Sequence, residues 1–373
     1  MESGVPTVPP YVAGPLHLQP FRAYSLAPRR VGDPASARVF ARPYRAVPQR
    51  LDTWLRRGLA TRSDEASLYL HEYSDSGLTV RGLLGCVDVS HTTRSVLESR
   101  IFPHEGVHPK QVSELATRMA TMRINPAPIL LVHRGPASIR EVSRKVRTGA
   151  PEREYVDHAG QQHRIWPITD SDQLEAVSAG LADAQLLVAD GHHRYAAYVA
   201  LHGREPTEAH RTGLAMVVDH DETPFFVGAI HRLLHGVKLA DAIAAADAAG
   251  ARVRTIEENE AVAALGPATL VLTDGAGWAT VGVERPPGTV MVQLLDEIVL
   301  ARLPKRPHRL SFAHSVGDAL DQVRPGRVTA ALLPAVDLDL VMEVARAGQL
   351  LPEKATSFQP KPSLGSFIRP LDG

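Results

Sequence analysis

Short apolar runs alternate with amphipathic stretches along this chain, and their spacing separates strands from helices. Residues 129–132, 186–188, 213–218 and 328–333 are continuous apolar runs too short for buried helices and read as strands. A further strand begins at Phe225-Phe226-Val227 and ends in His231-Arg232-Leu233. Three pairs of strand-like segments enclose glycine-bearing turns and read as hairpins. They are 67–73 with 78–87, 155–157 with 163–166, and 269–272 with 279–283. Helical spacing predicts helices over 50–58, 110–122, 170–181, 240–249, 261–265, 294–303, 316–323 and 337–347, with Gly58, Gly250 and Gly348 as stops. The basic stretch 134–150 reads as a solvated connection, and 350–370 as an irregular, proline-rich tail. Strands and helices mix without a strict βαβ rhythm, which predicts an α+β (mixed α/β) fold.

Proline punctuation sets the domain reading. Nine prolines between Pro6 and Pro48 predict an extended arm over residues 1–48, laid on a body over 49–373. That body divides into core motifs at 100–220 and a C-terminal lobe at 221–373.

Composition narrows the class. The 373 residues are 44% hydrophobic and 22% charged, with 41 basic and 41 acidic side chains, so no global field favours nucleic acid or an anionic membrane. No helix-turn-helix is recognisable. The single cysteine, Cys86, lies in an apolar setting and reads as a core thiol, which fits a reducing compartment. No apolar run has transmembrane length, and no basic segment followed by an apolar one opens the chain, so the expected location is the cytoplasm.

The chemistry concentrates in Asp190-Gly191-His192-His193-Arg194, between the run 186–188 and a helical stretch from Tyr195 to Leu201. A strand-to-helix turn presents backbone N–H groups that suit an anion. Arg194 adds a planar donor fork, and Asp190 could hold a divalent cation or steer a proton. Five such groups in one turn predict a phosphate site. A second candidate is His104-Glu105-Gly106-Val107-His108, which matches the H-E-x-x-H zinc-peptidase pattern. That pattern needs a continuous helix, and Pro103, Gly106 and Pro109 argue against one. Glu105 reads instead as a loop carboxylate, a general base or a magnesium ligand. Two carboxylates with His192, His193 and Arg194 supply what phosphoryl transfer asks for, although no Walker sequence or kinase glycine-rich loop is present. A third candidate, Lys354-Ala355-Thr356-Ser357, offers a cation beside hydroxyls; His314 is weaker.

The order Pro103-His104-Glu105, Asn125-Pro126-Ala127-Pro128, Trp166, Asp190-Gly191-His192-His193-Arg194-Tyr195 and Lys354-Ala355-Thr356 resembles the bacterial family called domain of unknown function 1015, from about residue 50 to 370. Three of these motifs also resemble those of free L-serine kinases in the ParB/sulfiredoxin-like superfamily. The resemblance implies a ParB/sulfiredoxin-like core with added hairpins. It implies Glu105 as catalytic base and Asp190 in catalysis or metal binding. It further implies Gly191, His192, His193 and Arg194 around nucleotide phosphates, and His104, Lys354 and Thr356 as substrate contacts. Its expected activity is transfer of phosphate from ATP or ADP, with Mg2+, to a small hydroxylated metabolite, free L-serine first. The alternative is a non-enzymatic nucleotide-binding regulator.

Overall fold

A computed structural model describes residues 5–371, which form a mixed α/β fold in two compact units. Among the described residues, the first comprises 5–225 with 345–348 and 360–371; the second comprises 226–344 and 349–359.

An eleven-stranded mixed sheet organises the first unit. Across it run Arg153–Val156, Gln162–Ile168, Leu68–Asp75, Leu78–Asp88, Thr212–Asp219, Ile129–His133, Leu186–Asp190, Ser99–Phe102, Tyr11–Ala13 and Thr92–Thr93, with Leu18–Gln19 beside Leu78–Asp88. The expected hairpins form, in register Leu70↔Leu83 and Tyr155↔His163. Strands Ile129–His133 and Thr212–Asp219 are buried along their whole lengths, as continuous apolar runs in sheet centres usually are. Strand Leu186–Asp190 pairs parallel with Ser99–Phe102, Leu187 opposite Phe102. Parallel strands deliver their carboxyl ends to the same sheet edge. The segment after Phe102 and the turn after Asp190 therefore emerge side by side.

Helices Pro109–Met122 and His192–Arg204 pack against each other over this sheet. Asp170 caps Ser171–Leu181 as expected, its carboxylate accepting the Gln173 N–H at 3.0 Å. Two expectations fail here. The basic stretch contains a helix, Ala137–Val146, because Ile139 and Val142 turn inward while Arg140, Glu141, Arg144 and Lys145 hide the period behind charge. The N-terminal arm is woven in rather than laid over: Tyr11–Ala13 and Leu18–Gln19 are strands of the sheet, and Tyr24–Leu26 pairs with Ala60–Arg62.

The second unit is built on a six-stranded antiparallel sheet in the order Arg252–Thr255, Trp278–Gly282, Thr269–Thr273, Val328–Leu332, His231–His235, Arg309–Ala313. Its core gathers Leu233, Val271, Trp278, Ala330 and Leu332. The tail expected to be irregular carries a strand, Thr356–Gln359, antiparallel to Phe226–Ala229. Among the described residues, no helix is long and apolar enough to cross a membrane.

Candidate functional site

The turn after Leu186–Asp190 depends on Gly191. Its φ of +92° lies in the left-handed region, and it caps helix His192–Arg204. Two buried tyrosines moor that helix: the Tyr195 hydroxyl donates to the Pro10 carbonyl at 2.7 Å, and the Tyr198 hydroxyl to the Leu214 carbonyl at 3.3 Å. Arg194 reaches back along the turn. One guanidinium nitrogen donates to the Pro128 carbonyl at 2.6 Å, another to Asp190 Oδ2 at 2.5 Å.

Residues 103–108 run as a non-helical loop, and the helix begins only at Pro109, with His108 extended before it. A zinc-peptidase helix is absent, as the prolines predicted. The loop is held from two sides. Thr7 exchanges two backbone hydrogen bonds with Val107, both 2.9 Å. On the other side, His104 N–H donates to His192 Nε2 at 3.3 Å, and His108 N–H to His193 Nε2 at 3.1 Å. An Nε2 that accepts carries no proton, so each neutral ring bears its proton on Nδ1. His192 Nδ1 stands 4.0 Å from Glu105 Oε2. The two histidines thus fasten the loop that carries Glu105, and the side chain of Glu105 is itself one-fifth exposed.

His104 departs from expectation. Its side chain is fully buried, edge-on to His192 at 4.5 Å between ring centres, which gives it a scaffolding place rather than a substrate-facing one. Burial pushes its pKa down to about 3, against smaller upward pulls from the Val188 backbone and Asp190. Burial also holds His71, His133 and His163 below the ordinary imidazole range. Below the unfolded value near 6.5, the unfolded chain binds protons that these folded rings refuse, so stability falls as pH drops. Each ring still neutral when folded contributes a slope of about 1.4 kcal/mol per pH unit. Urea midpoints should be level above about pH 7.5, begin to fall near pH 6.5 and decline through about pH 5.5 and 4.5. A flat profile over that range would show that these rings are not held neutral.

The acid of the turn has a partner that sequence reasoning missed. Asp190 Oδ2 meets Arg194 while Oδ1 forms an ion pair with Lys361 Nζ. The only local signal was a lysine flanked by Pro360 and Pro362 in a tail that read as irregular. Among the described residues, no group of three or more His, Cys, Asp or Glu side chains is placed to hold a metal ion. A lone carboxylate already bridged by two cations is not a resident metal cage.

Lys354 and Thr356 lie in the second unit. Lys354 is exposed, with a φ of +59°, and its carbonyl and that of Glu353 accept hydrogen bonds from the buried Arg232 guanidinium at 3.0 and 2.9 Å. Thr356 is buried and pairs with Ala229 in the two-stranded sheet. His314 Nδ1 lies 3.3 Å from Ser357 Oγ in the same unit. The structure therefore brings Glu105, Asp190, Gly191, His192, His193 and Arg194 together in the first unit, with Lys361 as an added member.

A family model described as a protein of unknown function (DUF1015) matches residues 18–317. No curated protein matches the chain. Three solved structures are similar to this chain. A free serine kinase in complex with AMP is 17% identical, with 72% of this chain and 88% of that one covered at a TM-score of 0.38. A conserved hypothetical protein from Pyrococcus furiosus is 16% identical over 73% and 93%, at 0.37. SbnI from Staphylococcus aureus, with its C-terminus truncated, is 12% identical over 77% and 87%, at 0.44.

Proposed function

This chain belongs to the DUF1015 family, and we propose that it is a nucleotide-dependent phosphotransferase acting on a small hydroxylated metabolite. One observation carries the reading: the loop with Glu105 is fastened by backbone hydrogen bonds to both histidines of the Asp190–Arg194 turn. A loop carboxylate beside a helix N-terminus with an arginine fork pairs a base with an anion cradle.

In this reading Glu105 takes the proton of the acceptor hydroxyl as its oxygen attacks the terminal phosphorus of ATP or ADP. The new O–P bond forms as the bridging P–O bond breaks, and ADP or AMP leaves. Arg194 and the N–H groups at the start of helix His192–Arg204 meet the phosphate charge, and Gly191 keeps the backbone close. His192 and His193 fix the loop that carries Glu105 through Nε2, and His192 Nδ1 faces the Glu105 carboxylate. Asp190 orients Arg194 and is the candidate protein ligand for Mg2+, which neutralises phosphate charge when bound. Free L-serine is the leading acceptor on the motif order alone. The cytoplasm is the proposed compartment.

A second reading, a non-enzymatic nucleotide-binding regulator, is favoured by one feature: both Asp190 oxygens are already occupied by cations. Phosphorus NMR separates the two. Protein with Mg2+, ATP or ADP and an amino-acid mixture containing serine should give a growing phosphomonoester resonance. Nucleotide-dependent thermal stabilisation with no new phosphorylated product would sink the transferase and leave the regulator.

A further inference from the structure

We propose that Lys361 is an anion-binding residue of this site and that the buried side chain of Gln161 positions it; this rests on the phosphate-binding reading above. Asp190 sits between two cations, Arg194 and Lys361, so the trio carries one positive charge in excess. Lys361 is the more exposed of the two, at 45% against 23% for Arg194. An exposed lysine–carboxylate pair contributes little stability and is readily given up by the lysine, whose compact charge suits a phosphate oxygen.

What surrounds Lys361 is more elaborate than a surface ion pair needs. Gln161, 3% exposed, clips the backbone just after the lysine: its Nε2 donates to the Lys361 carbonyl and its Oε1 accepts the Ser363 N–H, both at 3.0 Å. The Tyr73 hydroxyl donates to the Pro360 carbonyl, also at 3.0 Å. Gln161 is in turn fixed by its own N–H donating to Asp157 Oδ1 at 2.9 Å. Behind it runs a buried chain, His71 Nε2 to His163 Nδ1 at 3.0 Å and His163 Nε2 to Asp157 Oδ2 at 3.1 Å. A proline-flanked stretch with little regular structure is thereby held rigid at one point, where its lysine meets Asp190. A flexible lysine loses less freedom on binding an anion when its backbone is already fixed.

Pyrophosphate, ADP and adenosine are the probes, titrated calorimetrically into the full chain. Lys361→Met should weaken pyrophosphate and ADP by about ten- to a hundredfold, the loss of one charge-assisted contact, with adenosine unchanged. Lys361→Arg should restore most of the affinity. Gln161→Met should weaken the same two ligands less, and adding it to Lys361→Met should cost nothing further, because a positioning residue acts only through the lysine. Unchanged pyrophosphate affinity in Lys361→Met overturns the anion role, and additive losses in the double variant overturn the positioning role. Binding of pyrophosphate but not ADP by the unmodified protein would keep the lysine's role and remove the nucleotide. Binding of neither removes both.

Discussion

Glu105→Gln is expected to lose about 10²–10⁴-fold in phosphotransfer turnover while nucleotide affinity stays near that of the unmodified protein. The substitution keeps size and shape and removes the negative charge and with it the basicity. The loop geometry should survive it, because residues 103–108 are held through backbone groups: His104 and His108 donate to His192 and His193, and Val107 pairs with Thr7. None of those bonds uses the Glu105 carboxylate. Each decade of rate lost corresponds to about 1.4 kcal/mol of transition-state stabilisation, so a defect of this size belongs to the chemical step rather than to packing. The check is single-turnover kinetics beside a nucleotide titration. Turnover retained at the unmodified level would remove Glu105 as the base, and nucleotide affinity lost together with turnover would make it a binding residue instead.

The half of this site that is local in the chain was legible. A buried strand, a glycine, two histidines and an arginine in succession dictate a strand-to-helix turn whatever surrounds them, and that turn forms. Pro103 and Pro109 likewise forbid a helix at Glu105, and a loop is found. The unread half consists of contacts between segments distant in the chain, where hydrogen-bond partners leave no periodic trace. Nothing in the spacing says that His192 and His193 accept from the backbone of 104 and 108, or that Thr7 clamps Val107 from the other side.

The tail shows the same limit more sharply. Lys354 and Lys361 are seven residues apart in one proline-rich stretch, and composition cannot choose between them. Strand pairing assigns Thr356–Gln359 to Phe226–Ala229 in the second unit, whereas Gln161 and Tyr73 capture residues 360–363 for the first. The choice between the two lysines is thus made by side chains some two hundred or more residues earlier. In the arm, strands of two or three residues such as Tyr11–Ala13 and Leu18–Gln19 are too short to carry a readable alternation amid the prolines. Helix Ala137–Val146 went unread for the opposite reason, its charges outnumbering the two apolar residues that anchor it.

Gly191→Ala should damage fold and site together. The native φ of +92° is one that an alanine adopts only under strain, at about 1–3 kcal/mol. Space is wanting as well: an added Cβ would lie 2.9 Å from Arg194 Nη2, 3.0 Å from its Nε and 3.0 Å from Ile129 Cγ2. Ile129 is fully buried in the central sheet and has nowhere to go. The guanidinium could yield only by releasing the Pro128 carbonyl or Asp190. Strain alone should lower Tm by roughly 2–12 °C. Displacement of Arg194 should in addition weaken phosphate ligands, which a purely conformational penalty would not do. Gly203→Ala, near the end of the same helix, is the control: nothing lies within 4 Å of its Cβ position, its φ is ordinary, and alanine there should stabilise by about 0.5–1 kcal/mol. Melting curves and pyrophosphate titrations of the two variants give the comparison. A Gly191→Ala protein that melts with the unmodified chain and keeps its phosphate affinity would mean that the turn is not the rigid cradle its backbone and its arginine describe.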